Sequence, residues 1–180
     1  MRASRPRFQL QAALVAAGLA GGLTTSRAEA ADVEHTFSPG FLFSLSIGDK
    51  VAFGLGLDAR YTAITRTDGG YAVGGGVFAQ ATWLNFSAGR FAGGLHGGGD
   101  VLQRGYLGME GEIGYTYRTA YDEAHPGGHG LHLGFMGIPL GFGEISVRGS
   151  LPFPGERHKS ELTVGLGARF PSVFSSFGHP

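Results

Sequence analysis

Val51-Ala52-Phe53-Gly54-Leu55-Gly56-Leu57-Asp58-Ala59-Arg60-Tyr61-Thr62 changes character at nearly every step. Val51, Phe53, Leu55, Leu57, Ala59 and Tyr61 fall on one face of an extended chain. Ala52, Gly54, Gly56, Asp58, Arg60 and Thr62 fall on the other. A period of two is the pattern of a strand whose faces meet different surroundings.

The pattern recurs along the chain. Leu107, Met109, Ile113, Tyr115 and Tyr117 oppose Glu110, Glu112, Thr116 and Arg118. Ile145, Val147 and Leu151 oppose Glu144, Ser146, Arg148 and Ser150. Leu162, Val164, Leu166, Ala168 and Phe170 oppose Glu161, Thr163, Gly165, Gly167 and Arg169. Four weaker segments complete a set of eight expected strands: Phe41 to Ile47, Val73 to Trp83, Asn85 to Ala92 and Leu131 to Leu140. Gly48-Asp49-Lys50, Asp68-Gly69-Gly70, Pro126-Gly127-Gly128 and Pro152-Phe153-Pro154-Gly155 carry turn chemistry. Gly93 to Gly99 holds five glycines and reads as a flexible connection. No window of helical period competes with the strands.

The less apolar face says which side is inside. A soluble sheet turns that face to water and loads it with long charged side chains. Here it is mostly Gly, Ser, Thr and Ala, which suits the crowded interior of an eight-stranded barrel. Its charges are nearly balanced: Asp58, Glu110, Glu112, Glu144 and Glu161 against Arg60, Arg118, Arg148 and Arg169. Buried charges need partners, so these nine residues are expected to form a paired network in the lumen. The apolar face then meets lipid, with Tyr61, Tyr71, Trp83, Tyr117, Tyr121 and Phe170 near strand ends, where interfacial girdles lie. A spanning strand needs ~9–11 residues, so eight strands use roughly 80 and leave about 70 of the mature chain for loops and tails, whereas sixteen do not fit.

The N-terminus has the layout of an export signal. Arg2, Arg5 and Arg7 precede an apolar run from Leu10 to Leu23, and Ala28-Glu29-Ala30 offers small residues at a cleavage site. We place cleavage after Ala30. The signal holds four of the fourteen basic and one of the fourteen acidic side chains, leaving ten basic and thirteen acidic, a net of −3. No basic patch for nucleic acid remains. The absence of cysteine excludes disulfide frameworks, thiolate metal sites and cysteine nucleophiles.

On these residues the chain resembles the small outer-membrane β-barrel proteins of Gram-negative bacteria. Leu162-x-Val164-x-Leu166-x-Ala168-x-Phe170 is similar to the C-terminal signal read by the barrel assembly machinery, although Pro171 to Pro180 follow it here. The resemblance implies an all-β, antiparallel, up-and-down eight-stranded transmembrane barrel with a cleaved signal peptide. The expected divisions are residues 1–30 as signal peptide, 31–36 as periplasmic lead-in, 37–170 as barrel and 171–180 as tail. It also implies an outer-membrane monomer surrounded by lipid, inserted by the assembly machinery, with both termini periplasmic.

No enzymatic motif accompanies this fold, and no cofactor or metal is expected. His125, His129 and His132 lie close in sequence beside Asp122 and Glu123, but Pro126-Gly127-Gly128 opposes the helix that would align them. His158-x-Ser160 resembles two residues of the lipid A deacylase motif, with Glu161-Leu162 where that family carries Asn-Ala. The expected role is non-enzymatic: structural, or binding and adhesion through the loops Thr119 to Gly130 and Pro152 to Lys159. Two alternatives remain at this point. One is a soluble periplasmic barrel with the apolar face inward around an apolar ligand; the other is a lipid A-modifying enzyme.

Overall fold

Eight antiparallel strands follow one another around a closed barrel. A computed structural model describes residues 33–66, 71–102 and 107–174. The expected signal peptide and the Asp68-Gly69-Gly70 turn lie outside these residues. The strands are β1 (Val33–Ile47), β2 (Val51–Arg66), β3 (Ala72–Leu84), β4 (Ala88–Leu102), β5 (Leu107–Arg118), β6 (Gly128–Pro139), β7 (Gly143–Pro152) and β8 (Glu161–Arg169). Each pairs with its sequence neighbours, and β1 pairs with both β2 and β8, which closes the ring. Closure removes the unpaired edges that an open sheet leaves exposed.

Alternation sets the two surfaces. Along β2, Ala52, Gly54, Gly56, Asp58 and Arg60 are buried, whereas Val51, Phe53, Leu55, Leu57 and Tyr61 are exposed. The other strands follow the same rule, so the apolar face points outward. A soluble barrel around an apolar ligand needs the reverse, and the strands do not have it. Among the described residues few apolar side chains are buried: Leu42, Phe78 and Met136 within the ring and an Ala52, Leu84, Ala88 cluster.

Three boundaries depart from the sequence reading. β1 begins at Val33, inside the stretch read as a lead-in. It runs there because β2 is long enough to pair it, Val33 opposite Thr65, and Arg66 reaches across to Glu34 at 3.0 Å. Gly93 to Gly99 is not a flexible connection but the middle of β4, hydrogen-bonded to β3 and β5. Small residues are required because neighbouring walls approach closely: a Cβ at Gly94 would collide with the carbonyl oxygen of Ile113. The turn lies earlier, at 85–87, where Asn85 and Phe86 adopt left-handed φ values of 48° and 56°. Finally, Pro171 interrupts the chain after β8, yet β9 (Ser172–Phe174) pairs again with β1, opposite Phe37 to His35.

The barrel therefore has two unlike ends. The terminal end carries the start of β1, the finish of β8 and the 140–142 turn. The loop end carries the segments 48–50, 85–87, 119–127 and 153–160.

Candidate functional site

Inside the ring, the even-numbered positions of β2 to β7 and the odd-numbered positions of β8 bring charged side chains together. Arg60, only 1% exposed, is the centre of the larger group. Its Nε donates to Asp58 Oδ2 at 2.8 Å, its Nη1 to Glu110 Oε2 at 3.1 Å, and its Nη2 to Glu112. Glu112 also accepts from Arg148 Nε at 3.0 Å and Gln80 Nε2 at 3.2 Å, with His132 Nε2 at 3.0 Å. Arg148 continues to Glu144 at 2.5 Å, and Arg169 joins Glu144 at 2.8 Å and Glu110 at 3.2 Å. Four acids and three arginines from four strands, with Gln80 of β3 and His132 of β6 beside them, thus form one connected group. Charged hydrogen bonds of this kind are what offset the cost of burying charge.

A second group lies toward the loop end. Arg90 binds Glu161 and donates to Thr163 Oγ1 at 2.6 Å and Ser46 Oγ at 3.1 Å. Arg118 Nη1 meets Glu161 Oε2 at 3.2 Å. Of the nine residues singled out in the sequence, seven lie in the first group and Arg118 and Glu161 in the second. Gln80, Arg90 and His96 also line the ring and were not singled out, and His132, named in the sequence only beside a metal reading, turns inward with them. Arg90 makes the count within these two groups even, five arginines against five carboxylates. Its signal was present: Ala88, Arg90, Ala92, Gly94, His96 and Gly98 share one parity. Reading Gly93 to Gly99 as loop hid it.

At the loop end these charges continue upward into a cap. Arg118 Nη2 donates to Asp49 Oδ2 at 2.6 Å and to the carbonyl of Pro126 at 3.1 Å. Asp49 also accepts from the backbone N–H of Lys159 at 3.2 Å. One ion pair therefore ties the segments 48–50, 119–127 and 153–160 to each other. Lys50 pairs with Asp122 across the same gap, and Arg118 lies 4.8 Å over the Tyr121 ring. His158 is buried against Gly128, where a Cβ would overlap the imidazole, and its Nδ1 is 3.9 Å from Glu156 Oε2. The cap groups have shifted acidities. Burial raises Asp49, but Arg118 and the Lys159 N–H outweigh it and hold its carboxyl below the usual range. Hydrogen bonds from Lys50 and His125 do the same for Asp122. Burial, then the nearby Arg118 charge, pushes the His158 imidazole down.

The remaining candidates separate. His125 bonds Asp122 at 2.6 Å in the loop, His129 stacks outward on Tyr117 at 4.8 Å between centroids, and His132 points inward to Glu112. Among the described residues, no group of three His, Cys, Asp or Glu side chains is placed to hold a metal ion. Ser160 is exposed while His158 is buried, its Nδ1 lying 3.9 Å from Glu156 Oε2. At the terminal end, a cavity of about 180 Å³ lined by Thr62, Gly74, Asp100 and Glu110 opens into the ring; Glu110 belongs to the ion-pair group beneath it.

These features define a class: an up-and-down eight-stranded barrel turned inside out, apolar without and ionic within. No family model matches the chain, and no curated protein matches it. Among solved structures it is similar to the crystal structure of Ail, the attachment invasion locus protein of Yersinia pestis. Identity is 13%, with 78% of this chain and 99% of that chain covered, at a TM-score of 0.44. The same protein in complex with the heparin analogue sucrose octasulfate gives 14% identity, the same coverage and a TM-score of 0.43. Its backbone structure in a phospholipid bilayer nanodisc gives 15% identity, 76% and 99% coverage and a TM-score of 0.37. Likeness at this level says nothing about ligand or activity.

Proposed function

We propose that this protein is a non-enzymatic outer-membrane barrel with a side-chain-filled lumen, whose capped loop end binds partners outside the cell. The observation that carries the reading is the outward apolar face. Phe43, Phe53, Leu57, Val77, Leu95, Ile113, Phe135, Val147, Val164 and Leu166 are all exposed, from every one of the eight strands. Water does not tolerate so continuous a band on a soluble monomer; lipid does. Its height also fits. The ten steps from Val51 to Tyr61, at ~3.3 Å each and a tilt of ~40°, cover ~25 Å, the height of a barrel's apolar band. Tyr61 with His35 marks one rim, and Tyr115, Tyr117 and His129 mark the other.

Lumen packing supports a structural and binding role over transport. Arg60, Glu112 and Arg148 meet inside the ring, and the interior of an eight-stranded barrel is only wide enough for side chains to fill. With both termini periplasmic, segments 119–127 and 153–160 face the exterior. The reading includes a monomeric state and insertion by the assembly machinery through the β8 pattern ending at Phe170.

Membrane fractionation of cells producing the full chain tests this. Recovery in the outer-membrane fraction with heat-modifiable migration on a gel is expected. Recovery as a soluble periplasmic protein without that behaviour would overturn it.

A further inference from the structure

We propose that a groove on the outer wall, beside the 85–87 turn, holds one acyl chain of a membrane lipid as a discrete site. The proposal rests on the membrane reading above and adds a ligand class and a location to it.

The groove is about 520 Å³, within the ~300–1,000 Å³ typical of small-ligand sites. Register builds it. Phe43 on β1 stands opposite Leu55 on β2, and Leu55 stands opposite Trp83 on β3, so three large apolar side chains form a row across three strands. Phe53 and Phe86 form the wall toward the loop end, and Ser44 and Gly54, whose side-chain positions face the lumen, supply the backbone floor. No charged side chain lines it.

Its far wall is fixed rather than fluid. Asn85 Oδ1 accepts from the Phe53 N–H at 2.9 Å, and Ser87 N–H donates to the Leu84 carbonyl at 3.0 Å. These bonds hold Phe86 at a left-handed φ, an unfavourable state for an aromatic residue, and the residue is 87% exposed. A ring held outward against backbone preference, beside a three-residue turn, gives the belt a concave side here.

The occupant follows from this shape and setting. The groove is continuous with the apolar belt and has the polar Asn85 at its loop-end rim, matching a chain that enters from the membrane surface. A second copy joined by a two-fold axis would set this concave surface against itself, which leaves a void rather than a contact.

Trp83 is the only tryptophan, so it reports on the groove directly. The experiment titrates full-length protein in detergent with a phospholipid brominated on its acyl chains, which quenches a neighbouring indole. The control is Trp83→Phe/Phe135→Trp, which moves the indole to an outward position of β6 away from the groove. Half-quenching of Trp83 is expected near one lipid per protein, with the control needing about tenfold more. Phe43→Ala/Phe86→Ala should move the Trp83 midpoint to that of the control while heat-modifiable migration confirms a folded barrel. Equal midpoints for Trp83 and the control would overturn the site and leave the membrane reading intact. A dimer that shields Trp83 from the lipid would also overturn it. If neither indole is quenched in vesicles of the same lipid, the membrane reading fails and the site with it.

Discussion

Asp49 and Arg118 meet at 2.6 Å at the loop-bearing mouth of the barrel, and each also holds a different loop. Arg118 secures the Pro126 carbonyl and Asp49 secures the Lys159 N–H. Asp49→Asn should therefore loosen the 153–160 segment while the strands stay intact. A hydrogen bond between charged groups contributes ~1.5–3 kcal/mol, so local opening should become more frequent by about tenfold or more. Hydrogen exchange resolved by segment measures this. Equal exchange in both proteins would mean that the pair does not fasten the cap.

The same cap should respond to mild acid through His158. Its folded pKa is depressed, by burial first and then by Arg118. Glu156, Asp49 and Glu161 face it with the opposite sign without overcoming these two. The seated loop thus binds fewer protons than the unseated loop below the ordinary histidine value of ~6.5. Seating is at full strength above that value and weakens as pH falls through the folded value. Asp49 and Asp122 are depressed carboxyls, so their ties persist until pH falls below ~4. Proteolysis after Arg157 and Lys159 should accelerate between pH 7.5 and 5 in the native protein. His158→Phe should abolish that dependence.

Gly128 provides an independent handle on the same seat. A methyl group there has nowhere to go except into the His158 ring and Glu156. Gly128→Ala should unseat the loop at neutral pH and reproduce the acid phenotype, with the unfolding midpoint of the strands little changed. Protection of the 153–160 segment as strong as in the native chain would contradict the packing described.

Glu112 is the acid on which the larger ion-pair group converges. Glu112→Gln keeps the shape but removes the charge facing Arg60 and Arg148. Breaking a buried pair on one side costs ~3–5 kcal/mol. Urea unfolding in lipid or detergent should show a loss of that order. A combined Glu112→Gln/Arg148→Gln variant should recover part of it, because the unpaired charge is reduced.

Leu57 faces outward in the middle of the apolar band. Leu57→Arg places a cation at mid-depth, where it costs ~2–4 kcal/mol in lipid. The same change in a water-soluble barrel would be neutral or helpful. Folding efficiency into vesicles against Leu57→Ala separates the two.

Much of this was legible in the chain because period two is a strong signal wherever large apolar residues mark one face. Val51 to Tyr61 and Leu162 to Phe170 state their faces outright. β4 does not, because glycine occupies both faces and removes the contrast. That is why Arg90 and His96 went unread although they share the parity of Ala88. The cap was illegible for a different reason. Asp49, Arg118 and Lys159 are up to 110 positions apart, and only barrel closure brings β1, β5 and β8 into one ring. The histidines near 125–132 show the converse: closeness in sequence meant little once alternation sent His129 and His132 to opposite surfaces.

Pro171 breaks the last strand, yet β9 returns to β1 opposite Phe37 to His35. The line where first and last strands meet is thus fastened twice, by eight residue pairs from β8 and then by three more beyond the proline. Among the described residues, only these pairings join the two ends of the barrel sequence. Here an opening that starts at the loop end and runs down β8 meets a second fastening before the wall can separate. The proline that appears to end the barrel marks the gap between two stitches in its closure.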